Sequence, residues 1–274
     1  MAEASASIGG FGLYLRLVGQ SVRAQLQYRM SFVLMAFGSF VTTVVEALGI
    51  WALFERFGAL GEWQLPQVAF LYGLVNASFA VAEALARGFD VFGREFVKTG
   101  NFDRVLLRPR STVLQLAGYE FTLHRVGRLL QGLAVLAWAI WTLQLDWALW
   151  KVVLLLASFA GGVLFFYALF ILQAMLSFWA TESLEIMNTL TYGGTETAQY
   201  PLAIYRRWFR RFFTFVVPLG CISYFPAIAI FGIEDPLGSS RSFQVGAPLA
   251  GVLFFALALG AWRLGIRHYT STGS

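Results

Sequence analysis

Six runs of mostly apolar residues dominate this chain, at 31–54, 66–86, 129–145, 152–180, 212–233 and 245–262. A hydrocarbon core of ~30 Å is crossed by about 20 helical residues, so each run is close to one crossing. Lipid offers no partner to backbone N–H and C=O groups, and a helix satisfies them within a single segment. The pattern predicts an all-α polytopic membrane protein: one transmembrane domain of six transmembrane helices with short cytoplasmic amphipathic helices. Composition agrees. Hydrophobic residues make up 58% of the chain and charged residues 13%, against roughly 45–50% and 25% in a soluble domain. The third run is short; it lengthens if its helix starts before Arg128, whose side chain would then snorkel to the surface. The fourth is long and should tilt or protrude. The N-terminal residues lack the basic start and apolar core of a secretory signal, so insertion through the first span is expected.

Charge sets the orientation. With the N-terminus inside, 17 of the 20 lysines and arginines fall in inner segments, concentrated in 87–128 and 181–211. Arg56, Lys151 and Arg241 fall outside. The positive-inside rule then puts both termini in the cytoplasm and the chain in the cell (inner) membrane. The net charge of +5 thus speaks to orientation and to membrane lipids, with nothing pointing to nucleic acid. The outer loops are short and acidic, with Glu55, Glu62, Asp146, Glu234 and Asp235.

Both long inner connections carry candidate elements. In 87–128, Phe89, Phe92 and Phe96 recur at helical spacing, with Asp90, Arg94 and Lys98 mostly off their face. Thr99-Gly100-Asn101 should break that helix, and Leu106-Leu107-Arg108-Pro109 should be extended or a turn, because a residue before proline avoids helix. Thr112 and Gln115 suit a capping box. Such a segment lies in the headgroups, docks a cytoplasmic partner, or does both. In 181–211, Leu184 and Met187 suggest one amphipathic turn before Gly193-Gly194. Tyr200-Pro201 then opens another helix, with Pro201 in its first turn. Leu202, Tyr205, Phe209 and Phe212 form its apolar stripe, with Arg206, Arg207, Arg210 and Arg211 on other faces and Trp208 suited to the interface. This reads as an interfacial helix anchored against anionic lipid and leading into the fifth span.

Several chemistries are excluded. Neither lysine, Lys98 nor Lys151, follows a glycine, so the chain has no phosphate-binding GxxxxGK[ST] loop. It has no GxSxG, no HExxH and no zinc spacing among Cys221, His124 and His268. Two intramembrane polar residues stand out: Glu46 inside the first span, and Glu83 near the inner end of the second, beside Arg87. A carboxylate in hydrocarbon usually faces the bundle or a wet path. Pro218 and Pro226 should bend or break the fifth span. The small pairs Ala157/Gly161, Gly246/Ala250 and Ala256/Gly260 permit close helix contact.

Gly100-Asn101-Phe102-Asp103 followed by Leu106-Leu107-Arg108-Pro109 resembles a signature of the permease subunits of type-2 ATP-binding-cassette (ABC) exporters. Tyr200 to Tyr205, Phe213 to Pro218 and Tyr224-Phe225-Pro226-Ala227 resemble the same group in the same order, from about Tyr14 to Gly232. The resemblance implies a six-helix permease that dimerises, with itself or a related permease, on two copies of a separate ABC ATPase subunit. ATP and Mg would be held by that partner, with no cofactor on this chain and no catalytic or metal residues. It also implies a coupling element within Arg87–Arg110, where Phe89, Phe92 and Phe96 would fill a cleft of the ATPase while Arg94, Asp103, Arg104 and Arg108 set the register. An ion-gradient-coupled secondary transporter or channel working through Glu46 is the alternative. An intramembrane lipid-modifying enzyme would want a clustered His or acid constellation, which the sequence lacks.

Overall fold

The computed structural model describes residues 10–27, 29–179 and 184–271, and among them it is helical without strands. Five helices are long and apolar enough to cross a membrane: α2 (Arg29–Phe57), α3 (Leu65–Leu85), α7 (Val126–Leu143), α8 (Leu149–Leu176) and α14 (Leu249–Ile266). A sixth candidate passes the same test of length and composition only if Arg207–Val216 and Leu219–Phe231, bent by 69°, are taken together, as a broken span or a re-entrant loop. The predicted spans 31–54, 66–86, 129–145 and 245–262 fall on α2, α3, α7 and α14 with shifts of a few residues at their ends. The 28 residues of α8 rise about 42 Å, longer than the hydrocarbon core, so it tilts or protrudes.

Helix α3 is the centre. Almost every side chain along it is buried, because α7 packs on one side and α8 on another. The contacts are close because small residues let backbones approach. A Cβ on Gly73 would stand 2.6 Å from the Leu136 nitrogen, and one on Gly132 would stand 2.9 Å from that of Ala77. Helix α14 runs parallel to α8, and a Cβ on Gly251 would lie 2.1 Å from the Gly161 oxygen. Gly161 thus makes the predicted close contact. Gly246 and Gly260 face open space and do not.

Antiparallel α3 and α7 define two ends. At the near end, the segment between them holds α4 (Arg87–Asp90), a turn of π-helix (Gly93–Val97), α5 (Phe102–Leu106) and α6 (Thr112–Ala117). Gly100, with a φ of 69°, breaks the chain as predicted. The predicted capping box does not form. Thr112 is the first helical residue, and its hydroxyl accepts a hydrogen bond from Trp262 Nε1 (3.1 Å). Gln115 instead donates to the carbonyls of Val105 and Arg110. A further helix, α1 (Gly10–Gln27), lies outside the six apolar runs and precedes α2. It is clipped to this end: Phe121 N donates to Ser21 Oγ (2.9 Å), Leu123 N donates to Gln25 Oε1 (3.1 Å), and Gln25 Nε2 donates to the Phe121 carbonyl.

The far end carries the loops 58–64 and 232–240. Here the chain departs most from expectation. Helix α9 (Leu184–Ala198) continues through Gly193-Gly194 rather than stopping before them; residues 180–183 and the side chains of Leu184 and Met187 lie outside the described set. Pro201 does not open a long amphipathic helix. A single 3-10 turn (Leu202–Ile204) follows it, then α10 (Arg207–Arg211), a π turn (Phe212–Val216), and a break at Val217-Pro218. The short α11 (Leu219–Ile222) and α12 (Tyr224–Phe231) complete the passage, and Pro226 sits in the first turn of α12, where a missing N–H is tolerated. Side chains satisfy open carbonyls here: Cys221 Sγ donates to Thr214 (3.7 Å), four residues before Pro218, and Ser223 Oγ to Ala198 at the end of α9 (3.2 Å). Helix α13 (Arg241–Gly246), capped by Ser240, leads into α14.

Candidate functional site

Three features hold the polar chemistry. The first is a seam through the bundle where α2, α3, α7 and α9 meet. Arg128 does not snorkel. It is buried, with Nε donating to Asn76 Oδ1 (2.9 Å) and the guanidinium 4.8 Å from the Phe79 ring centroid. The helix indeed starts before Arg128, but Asn76 and an aromatic face compensate the charge inside the protein, so the long stem need not reach the surface. Asn76 Nδ2 in turn donates to the Tyr72 carbonyl (3.0 Å). The Tyr72 hydroxyl donates to the Thr43 carbonyl (3.0 Å) and accepts from Gln131 Nε2 (3.3 Å). Deep in the same seam, Glu83 Oε1 is held by Arg125 (2.7 Å) and by the Tyr192 hydroxyl (3.1 Å). Glu83 is therefore a buried, paired carboxylate and not a surface acid beside Arg87, which bonds Asp90 instead (2.7 Å).

Glu46 opens onto this seam. It lines a cleft of about 360 Å³ with Ser39, Thr42, Thr43, Arg125 and Arg128, and its Oε2 is buried without a hydrogen-bond partner. Glu196 on α9 lies within electrostatic reach of both Glu46 and Arg128. A mixed-charge cleft bounded by an otherwise lipid-like helix is a place where a polar group can sit within the membrane.

The second feature is the near-end segment, and it corrects the expected roles of its phenylalanines. Phe89 and Phe92 are fully buried and Phe96 nearly so. Phe89 packs edge-on against Tyr167 and Trp262, while Phe92 stacks on Phe96 and meets Phe102, Phe178 and Trp262 edge-on. These rings are committed to this chain's own core and have no surface to place in a partner's cleft. Their helical spacing signalled an apolar face but not what would cover it, and the end of α14 does. Asp103 accepts a hydrogen bond from Ser271 Oγ (2.7 Å), and Tyr269 packs on Phe102. Burial and the Asp103 carboxylate push Tyr269 up to about 12, so it stays neutral. What remains exposed is a rim: Arg94, Lys98, Arg104, Arg108 and Leu107, the last 84% exposed.

The third feature is the arginine-rich α10. Arg207, Arg210 and Arg211 line one groove with Pro236 to Ser239 and Phe243. Those partners precede the N-terminus of α14, whereas Trp262 near its other end touches the near-end segment. From Leu249 to Trp262 the helix rises about 20 Å. Arg207, Arg210 and Arg211 therefore stand at the far end of the bundle, opposite the 87–128 segment, whereas the charge count groups the two segments on one side. Trp208 and Arg206 are exposed there, while Tyr205 stacks on Phe209 and donates to the Thr197 carbonyl (3.3 Å). Pro201 is buried and Tyr200 half-buried.

Residues 40–273 match the profile of a family described as ABC-2 family transporter protein. No curated protein matches the chain, and no solved structure does.

Proposed function

Because the chain belongs to the ABC-2 transporter family, as a multi-pass permease component of an ABC transporter, we propose that it forms the translocation path of an ATP-driven exporter and takes its motion from a separate ATPase subunit. The observation that carries this reading is the near-end rim. Arg94, Lys98, Arg104, Leu107 and Arg108 are exposed on short helices whose other face is locked by Phe92, Phe102 and Trp262 into α8 and α14. A push on this rim is carried into two spans, because packed aromatic clusters transmit strain rather than absorb it. The contact to the ATPase runs through Leu107 as an apolar anchor with the basic residues around it. Two copies of the ATPase, holding ATP and Mg, serve a pair of permeases, this chain with itself or with a related one. The second permease lies along α2, whose outer face exposes Val33, Leu34, Phe37, Val41 and Val45, and closes the Glu46 cleft into a path. The near end, richest in arginine, faces the cytoplasm of the cell (inner) membrane.

The test is co-purification from native membranes, with identification of every bound chain, followed by ATP hydrolysis in reconstituted membranes. A nucleotide-hydrolysing partner that stays with the wild type and is lost with Leu107→Asp is the expected result. Recovery of the intact permease with no ATPase would overturn the reading.

A further inference from the structure

The far-end groove is unused by the exporter reading, and its chemistry is specific. It measures about 670 Å³, within the ~300–1,000 Å³ typical of sites for small organic ligands and far more than a bare inorganic anion needs. One wall is the α10 stripe. Arg207, Arg210 and Arg211, followed by Thr214 and Phe215, recur at helical spacing, so charge gathers at one end and an aromatic at the other. Phe225 and Phe243, in edge-to-face contact at 4.9 Å, build the opposite apolar wall. Arg210 Nε is buried without a hydrogen-bond partner. The nearby acid is already engaged: Asp235 accepts from the Tyr224 hydroxyl (2.8 Å) and from the backbone N–H groups of Leu237 and Ser239 (3.0 Å each). Three guanidinium groups at a membrane surface call for anionic oxygens, which they bind in forked pairs. The apolar half of the groove calls for hydrocarbon.

We infer that this groove binds an anionic phospholipid, its headgroup phosphate on Arg207, Arg210 and Arg211 and the upper part of a chain against Phe215 and Phe243. The site needs neither the ATPase nor transport, so it stands or falls apart from the exporter reading.

Purified full-length protein in neutral detergent, titrated with dioctanoyl phosphatidylglycerol and followed by native mass spectrometry, tests it. The expected result is saturable binding, with dioctanoyl phosphatidylcholine at least tenfold weaker and inorganic phosphate unable to compete. Arg210→Gln with Arg211→Gln should weaken binding tenfold or more, while Arg210→Lys keeps most of it. Phe215→Glu, at a side chain 76% exposed that folding does not require, should weaken it similarly by placing a carboxylate in the groove. Equal binding of phosphatidylcholine, or unchanged binding by the arginine pair and by Phe215→Glu, would overturn the inference. Competition by inorganic phosphate at matched concentration would also overturn it, because the apolar half would then contribute nothing.

Discussion

Arg125 and Glu83 form the pair with most at stake in the seam. Glu83 is buried, and removing its cation leaves an uncompensated carboxylate that Tyr192 alone cannot neutralise. Breaking a buried pair from one side typically costs about 3–5 kcal/mol, whereas replacing both members is often neutral. Arg125→Met should therefore lower the thermal unfolding midpoint sharply in detergent, and Glu83→Leu with Arg125→Met should restore most of it. A double variant no more stable than the single would mean that Glu83 does not carry a buried charge. Glu46 behaves differently, because its Oε2 already lacks a partner and faces a cleft. Glu46→Ala should leave insertion and folding intact and reduce transport, with Glu46→Gln milder because an amide keeps hydrogen-bonding capacity. Wild-type transport by the alanine variant would reduce Glu46 to a tolerated polar residue.

Elements join here through small residues and aromatic rings, and the two respond differently to substitution. Gly251→Leu forces a side chain against the Gly161 backbone and should separate α14 from α8, seen as loss of monodisperse protein on size exclusion. Phe92→Ala removes a ring from the near-end core and should cost about 3–5 kcal/mol in stability. Leu107→Ala removes an exposed side chain and should leave stability unchanged while weakening partner-stimulated ATP hydrolysis. Equal effects of Phe92→Ala and Leu107→Ala on stability would contradict this division between core and rim. The same division marks what sequence could reveal. Helices α2, α3, α7, α8 and α14 were legible because a long apolar run in lipid has one good solution. The burial of Phe89 and Phe92 was not, since an apolar stripe looks the same whether lipid, a partner or Trp262 covers it. Arg128 misled for a related reason: its partner Asn76 lies 52 positions away, and nothing local announces that pairing. Helix α1 carries only a weak signal, Tyr14, Val18 and Val22 at helical spacing before the first span.

At the scale of the whole molecule, the least legible feature was the fifth passage, because charge counting assumes that a basic cluster lies on one side of the spans that flank it in sequence. Pro218 announced a break, but not that the chain before it would already have reached the far end. Moving Arg206, Arg207, Arg210 and Arg211 there still leaves most arginines and lysines at the near end, so the charge count points the same way by a smaller margin. The two arrangements are separable by labelling. On a Cys221→Ala background, single cysteines at Glu62, Trp208 and Ser240 should react with a membrane-impermeant maleimide from one side, and a cysteine at Lys98 from the other. Each of these residues is exposed, so accessibility depends on sidedness rather than on unfolding. Trp208 is decisive. It belongs to the groove helix, and it labels with Glu62 only if the chain crosses the bilayer before α10 and then turns at Val217-Pro218 into α11 and α12. Labelling of position 208 together with position 98 would restore an inner arginine segment and remove the far-end groove from that leaflet. Labelling together with position 62 would mean that the chain crosses before α10 and that 207–231 re-enters from the far side, with its bend at Val217-Pro218 inside the membrane, where a change in backbone angle alters the path without unpacking α3.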